Sequence, residues 1–231
     1  MFWFRKKPVM VPLTMVAKDI HNHLLPGVDD GFKRAEDSLQ AIGKMVENGV
    51  KEIVFTPHMN PELFVGQTEA HLREVYADFS SRIPAEWGLK TSLAAEYMCI
   101  KDFEHRASDP ELLTFEDDSV LVEMSYYYRS PNFETALFEL VMAGKKPIVA
   151  HPERYLYMAE CLSDFDRMAE MGCRFQMNYM SLTGAYGPES LKILRYLKDR
   201  GYYHFAATDL HTNHQLDKIL AINVEKDKPL F

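Results

Sequence analysis

The sequence predicts one α/β domain, a distorted seven-stranded (β/α) barrel of the TIM type in preference to an open doubly wound sheet, on three observations. Strand-like and helix-like patterns alternate along the chain, which implies a parallel sheet with helical crossovers. Seven strands in 231 residues leave about 33 residues for each unit, the length of one βα repeat. Polar residues of metal-ligand type recur where the strands end, the rim at which barrels of this kind carry their sites.

β-branched and apolar runs mark the strands, and apolar residues at helical spacing mark the segments between them. The first strand falls at residues 16–21, followed by a helix over 34–48 that Gly49 closes. Residues 51–57 make the second strand and 68–82 the next helix, which alone lacks a terminal glycine. The third strand spans 91–98, and the less regular 103–118 reads as a long loop with a short helix. Strands at 119–124, 147–151 and 174–178 are each followed by a helix, at 133–143, 163–171 and 188–200. Gly144, Gly172 and Gly201 end those helices, as glycine often does where the backbone must turn left-handed. Residues 203–209 complete the set. No linker, repeat or low-complexity tract interrupts the pattern, so residues 16–231 read as one domain and residues 1–15 as an N-terminal extension.

Composition sets limits on function. Apolar residues at 47% and charged residues at 26% are globular values that exclude disordered, collagenous and coiled-coil readings. A net charge of −8 gives no broad attraction for nucleic acid or anionic lipid, so an anionic substrate needs a local positive feature. Cys99, Cys161 and Cys173 form an odd, widely spaced set that fits reduced thiols better than a disulfide framework. No apolar run reaches the ~18 residues of a membrane span, and the N-terminus lacks a signal-peptide pattern. A cytoplasmic protein without stable membrane insertion is expected.

That positive feature is legible at the strand ends. In Asp19-Ile-His21-Asn-His23 the alternation of side chains sends His21 and His23 to one side, where two imidazoles can share an ion. The turn Val28-Asp29-Asp30-Gly31 adds carboxylates, and Thr56-Pro57-His58 ends the second strand. Glu96 and Glu123 sit in the third and fourth strands, Ala150-His151-Pro152-Glu153-Arg154 follows the fifth, and Thr208-Asp209-Leu210-His211 ends the seventh. An isolated His or Glu at a strand end is usually a solvated residue. His71, His105 and His214 are read that way, and His204 as a core residue. The bland reading fails for the set, because Glu96 and Glu123 lie in apolar strands where an unpaired carboxylate is costly and a cation removes the cost. Five imidazoles (His21, His23, His58, His151, His211) and four carboxylates (Asp30, Glu96, Glu123, Asp209) exceed what one ion takes and suit two or three. With no cysteine among them, they favour manganese, iron, zinc or magnesium over a thiolate zinc site.

These motifs, in order over residues 16–212, resemble the polymerase and histidinol phosphatase (PHP) superfamily of metal-dependent phosphoesterases. The likeness is greatest to its bacterial manganese-dependent protein-tyrosine phosphatases of capsular and exopolysaccharide gene clusters. The resemblance implies a trinuclear centre. His21, His23, Glu96 and Asp209 would hold one ion; Glu96, Glu123 and His151 a second; Asp30, His58 and His211 a third. It also implies a phosphate-binding role for Arg154, attack on phosphorus by a metal-bridging hydroxide, and a tyrosine-phosphorylated protein as substrate, with a bacterial tyrosine kinase of polysaccharide export as a candidate. One departure stands out. Relatives carry another arginine shortly after Asp-x-His, whereas this chain reads Thr212-Asn-His-Gln-Leu216, leaving His214 or Lys218 to substitute or one contact missing.

Rival readings are weaker. Cys161 and Arg167 fit the Cys-x5-Arg spacing of thiol phosphatases, but Asp164 and Asp166 between them would repel a phosphate dianion. Nucleotide-binding glycine loops and a Gly-x-Ser-x-Gly elbow are absent. A small-molecule phosphomonoesterase such as histidinol phosphatase is the enzymatic alternative. A non-catalytic metal-binding scaffold is the other. Tyr126, Tyr127 and Tyr128 either line the mouth, where they could stack on a phenyl ring, or serve as packing. Arg154 has an alternative as well, a structural pair with Glu153.

Overall fold

The computed structural model describes residues 10–100 and 103–225. In chain order its main elements are β1 (Met10–Pro12), β2 (Lys18–Asp19), α1 (Ala35–Glu47), β3 (Glu52–Phe55), β4 (His58–Met59), α2 (Glu69–Ser80), β5 (Lys90–Leu93) and β6 (Glu96–Met98). There follow β7 (Ser119–Glu123), α3 (Phe133–Met142), β8 (Lys146–Ala150), α4 (Ser163–Glu170), β9 (Arg174–Asn178), α5 (Pro188–Asp199), β10 (Tyr203–Ala207), α6 (Asn213–Leu220) and β11 (Asn223–Glu225).

The expected alternation of parallel strands and helices is present, but the strands form two sheets and not one closed seven-stranded sheet. One sheet runs β2-β3-β5 and the other β10-β9-β8-β7-β6-β4. The split has a local cause. The single strand expected at 91–98 breaks into β5 and β6, and the one expected at 51–57 ends as β3 at Phe55, with β4 a separate piece beyond Pro57, which has no N–H to continue a ladder. The register nevertheless carries across the break, because Ala94 N donates to Phe55 O at 2.8 Å and Glu96 N to Pro57 O at 3.0 Å. At the other side the two sheets approach through an isolated parallel bridge between Asn22 and Leu210. Asp209 N donates to His21 O there at 2.8 Å, and His23 N to Leu210 O at 2.9 Å.

All five expected helices form, each end within two residues of its expected position. Thr68 caps α2 by accepting from His71 N, which supplies the start signal for the one helix without a closing glycine. The short loop helix appears as a 3-10 turn at Phe103–Arg106. Helix α6, which the periodicity did not reveal, is capped by Thr212. The antiparallel ribbon of β1 and β11 was also not foreseen; it pairs Met10 with Glu225, and Leu13 and Met15 beyond it are buried in the core.

Both faces of β7, β8 and β9 are buried, as helical crossovers require. One face packs Tyr97, Val120, Val122, Val149, Phe175 and Met177 into the main core. The other carries a small inner cluster of Ile20, Val54, Ala94, Leu121, Ile148, Ala150 and Ala207. Two residues further along the same face from Ala94, Leu121 and Ala207 stand Glu96, Glu123 and Asp209, so the apolar inner layer ends in a layer of carboxylates. The turn that brings Asp29 and Asp30 over this layer depends on Gly31, where a Cβ would collide with the carbonyl and Cβ of His23. His71, His105 and His214 are exposed as expected. His204 is exposed too, contrary to its reading as core. A register shift between Tyr203 and Phe205 turns it outward and leaves Tyr203 as the buried residue.

Candidate metal centre

The nine expected ligands meet at the polar end of the inner layer, and Glu96 stands at their centre. Its Oε2 lies 3.2 Å from His21 Nε2, 3.4 Å from His23 Nε2 and 3.1 Å from His58 Nδ1, and its Oε1 lies 2.9 Å from His151 Nε2. Asp209 Oδ1 stands 3.5 Å and 3.3 Å from Nε2 of His21 and His23. His58 spans the site, facing Glu123 Oε1 at 3.0 Å through Nδ1 and Asp30 Oδ1 at 3.4 Å through Nε2. His211 Nε2 reaches Asp30 Oδ1 at 3.5 Å. The closest groupings of donor atoms are His21–His23–Glu96, His21–His151–Asp209, His58–Glu96–Glu123 and His23–Asp30–His58–His211.

Divalent cations fit this arrangement. His21 Nε2, His23 Nε2, His58 Nδ1 and Glu96 Oε2 are buried with no hydrogen-bond partner, although they face one another. Four such atoms converging on one spot are costly unless a cation joins them. The charges agree. Burial works to neutralise Glu96 and Asp209, yet His21 beside both holds them well below the usual carboxylate range. Burial and the neighbouring His23 disfavour charge on His58, but Glu123 and Glu96 lift it to about 10. Burial likewise opposes a charged His23, which Asp29 and Asp209 raise well above its ordinary value. His151 is lowered, by burial. The cluster keeps Glu96 and Asp209 ionised and calls for positive charge around them.

Outer partners aim the ligands. The Oε1 of Gln176 lies 2.8 Å from His21 Nδ1 and accepts a hydrogen bond from it, leaving Nε2 free for the centre. Asp29 Oδ2 does the same for His23 Nδ1 at 2.7 Å, and it also accepts from His58 N at 3.0 Å. Asn178 donates to Asp209 Oδ2 at 2.7 Å. Sequence reasoning quoted Asp29 only as part of a motif and overlooked Gln176 and Asn178. Their signal was two polar residues alternating with Phe175 and Met177 in a buried strand. His151 and Asp209 adopt φ of +30° and +48°, a left-handed backbone unusual outside glycine, which swings both ligands out of their strands.

Arg154 enters from the turn Pro152–Arg154 that follows His151. Its Nη1 donates to Asp209 Oδ2 at 2.8 Å, and its guanidinium lies 4.2 Å and 5.0 Å from the ring centres of Tyr126 and Tyr186. Pairing with Glu153 does not form. Glu153 is buried behind the turn, where it accepts from Asn178 N at 2.6 Å and Tyr203 OH at 3.0 Å. Arg154, Tyr126 and Tyr186 line a cleft with Asp30, His58, Asp209, His211 and Gln215. His214 and Lys218, the candidates to replace a second arginine, are exposed and do not line it. Gln215 is committed to the backbone, donating to Asp209 O and accepting from His211 N, both at 2.8 Å. No thiol-phosphatase loop forms around the exposed Cys161, because Arg167 lies on α4 and pairs with Asp164 at 2.9 Å and Glu134 at 3.2 Å.

A family model described as capsular polysaccharide synthesis, CpsB/CapC, matches residues 17–220. The chain belongs to this family. Within CpsB/CapC it is 28% identical over 195 residues to the tyrosine-protein phosphatase YwqE of Bacillus subtilis (strain 168), covering 84% of this chain and 76% of that protein. It is also 28% identical over 206 residues to the tyrosine-protein phosphatase CpsB of Streptococcus pneumoniae, with 84% and 82% covered. A solved structure from work on YwqE and CpsB, described there as metal-dependent tyrosine phosphatases, superposes with a TM-score of 0.77 at 28% identity over 86% of this chain and 81% of that one. The lactonase Lmo2620 of Listeria monocytogenes shares the fold alone, with a TM-score of 0.53 at 12% identity over 90% and 85% of the two chains. No helix among the described residues is long and apolar enough to cross a membrane.

The outer partners generate a prediction. Asp29→Asn keeps the shape of the turn but weakens the acceptor on His23, so affinity for manganese should fall about 10- to 100-fold in calorimetric titration while the circular dichroism spectrum stays native. Unchanged affinity would show that Asp29 does not orient the ligand.

Proposed function

We propose that this chain is a metal-dependent phosphatase that removes phosphate from phosphotyrosine on proteins of capsular or exopolysaccharide synthesis. The observation that carries this reading is the cluster of nine ligands centred on Glu96, one of their number, opening onto Arg154 in one cleft. Membership of the CpsB/CapC family and the names of the similar phosphatases support it. The reading extends to a cytoplasmic enzyme with a bacterial tyrosine kinase of polysaccharide export as its partner, and it treats the two sheets as parts of one distorted barrel.

The cofactor is read as two or three divalent ions, manganese foremost. His21, His23, Glu96 and Asp209 would hold the first, Glu96, Glu123 and His151 the second, and Asp30, His58 and His211 the third. His58 also faces Glu123 and so stands between the last two groups. Bound there, such ions lower the pKa of water and polarise phosphoryl oxygens. The chain does the rest. Arg154 offers a planar fork to two phosphate oxygens, with Asp209 and the rings of Tyr126 and Tyr186 fixing its plane. Tyr126 donates to Glu123 Oε2 at 3.3 Å, and burial keeps its phenol protonated, so it remains a donor at neutral pH. A phenolate is a good leaving group, so a strong general acid is not required of the protein.

Two measurements test this. With manganese-loaded protein, kcat/KM for a phosphotyrosine peptide should exceed that for a phosphoserine peptide and for histidinol phosphate by about tenfold or more; a preference for histidinol phosphate would favour the small-molecule reading. Arg154→Lys keeps the charge but loses the fork, and should lower kcat/KM about 10- to 100-fold, on the order of 1.4–2.7 kcal/mol, with metal content and Tm near wild type. Loss of metal or stability in parallel would make Arg154 a structural partner of Asp209.

A further inference from the structure

Large hydrophobic side chains are left in water at one place above others. Leu63 is 72% exposed, Val65 87%, Tyr127 90% and Tyr128 55%. They stand on the loops between β4 and α2 and between β7 and α3, at the same end of the parallel strands as the metal-ligand cluster. Leu63, Tyr127 and Tyr128, together with Met98, Ile100 and Glu62, frame a trough of about 280 Å³ that runs into the active cleft, because Asp30, His58 and Tyr126 line both.

Neither loop is free to fold its apolar residues away. Ser125 O accepts from Tyr157 OH at 3.0 Å, Tyr127 N donates to Ser125 Oγ at 3.2 Å, and Arg129 pairs with both Glu134 and Asp164. On the facing loop, Leu63 N and Phe64 N donate to Asn60 O at 3.2 Å and 2.9 Å, and Phe64 stacks on His58 with ring centres 5.7 Å apart. Apolar surface held open in this way marks a binding surface. One charge in it is left over. Asp30 and Glu123 face His58 and belong to the ligand set, whereas Glu62, in a lining with no Lys or Arg, makes no ion pair among the described residues.

We infer that this trough docks the polypeptide on one side of the phosphotyrosine, taking an aliphatic or aromatic side chain between Leu63 and Tyr127 and a Lys or Arg beside Glu62. The inference rests on the phosphotyrosine reading and adds sequence selectivity to it. Continuity with the cleft makes a substrate segment the occupant: chain extending from a phosphotyrosine held at Arg154 must leave along the rim. Glu62, Leu63 and Tyr127 line the trough and not the cleft around Arg154 and Asp209, so a free aryl phosphate seated in that cleft does not depend on them.

The test compares the manganese-loaded wild type, the double variant Leu63→Ser/Tyr127→Ser, and Glu62→Lys on three substrates. These are p-nitrophenyl phosphate and two phosphotyrosine peptides that differ only in carrying Lys or Glu beside the phosphotyrosine. The double variant should raise KM for the Lys peptide about tenfold with kcat unchanged, and leave kcat/KM for p-nitrophenyl phosphate within about twofold. Glu62→Lys should invert the preference between the peptides. A parallel loss on all three substrates, or no change on any, overturns the docking role. A wild type that dimerises in light scattering and becomes monomeric in the double variant overturns it too, by assigning the trough to a second copy. If the wild type hydrolyses phosphotyrosine peptides without regard to neighbours, docking fails while the phosphatase reading stands. If it hydrolyses p-nitrophenyl phosphate but neither peptide, the phosphotyrosine reading fails first and takes the docking with it.

Discussion

A carboxylate buried at the end of an apolar layer is the constraint on which the rest of this structure turns. Glu96 is inaccessible to solvent, and the atoms nearest its oxygens are ring nitrogens of His21, His23, His58 and His151. An ionised carboxylate in such a place must be matched by positive charge. The inner cluster below it, small residues such as Ala94, Ala150 and Ala207 among larger aliphatics, supplies an apolar floor that keeps water from diluting the interaction. The outer partners Asp29, Gln176 and Asn178 then hold the donor atoms facing inward, at the cost of a strained backbone at His151 and Asp209. Stability and function pull in different directions here, since a cluster satisfied by side chains alone would have no use for a metal.

Asp209 couples the metal cluster to the substrate cleft. One oxygen faces His21 and His23 while the other accepts from Arg154 and Asn178. The arginine is therefore oriented by a residue of the ligand set, and Tyr126 and Tyr186 restrict it further from either side. A single well-held arginine is consistent with a chain that lacks a second one after His211, where Gln215 is occupied with the backbone and neither His214 nor Lys218 lines the cleft.

Much of this was legible in the sequence because the site uses strong patterns. Glu96 and Glu123 inside apolar runs, His21 and His23 two apart, and His151 and Asp209 at strand ends each report a position on a face as well as a residue type. The helices were legible from periodicity and closing glycines. What was not legible depends on tertiary context. Pro57 divides the ladder, so a reading by strand count expects one closed sheet where two form. Helix α6 is short and begins at the site, where Thr212 to Leu216 drew a reading for phosphate contacts and not for capping. His204 fails because a register shift cannot be seen in a pattern of residue types. Gln176 and Asn178 were missed because amides are not charged ligands, although alternation with Phe175 and Met177 put them on the inner face.

The central claim, that Glu96 and the eight side chains around it exist to hold the divalent ions of a phosphatase, is tested most directly by metal stoichiometry tied to turnover. Protein stripped by a chelator and titrated with manganese should recover phosphatase activity in step with bound metal, reaching its maximum only at two or more ions per chain, as counted by elemental mass spectrometry. Full activity with one ion or none would contradict the account.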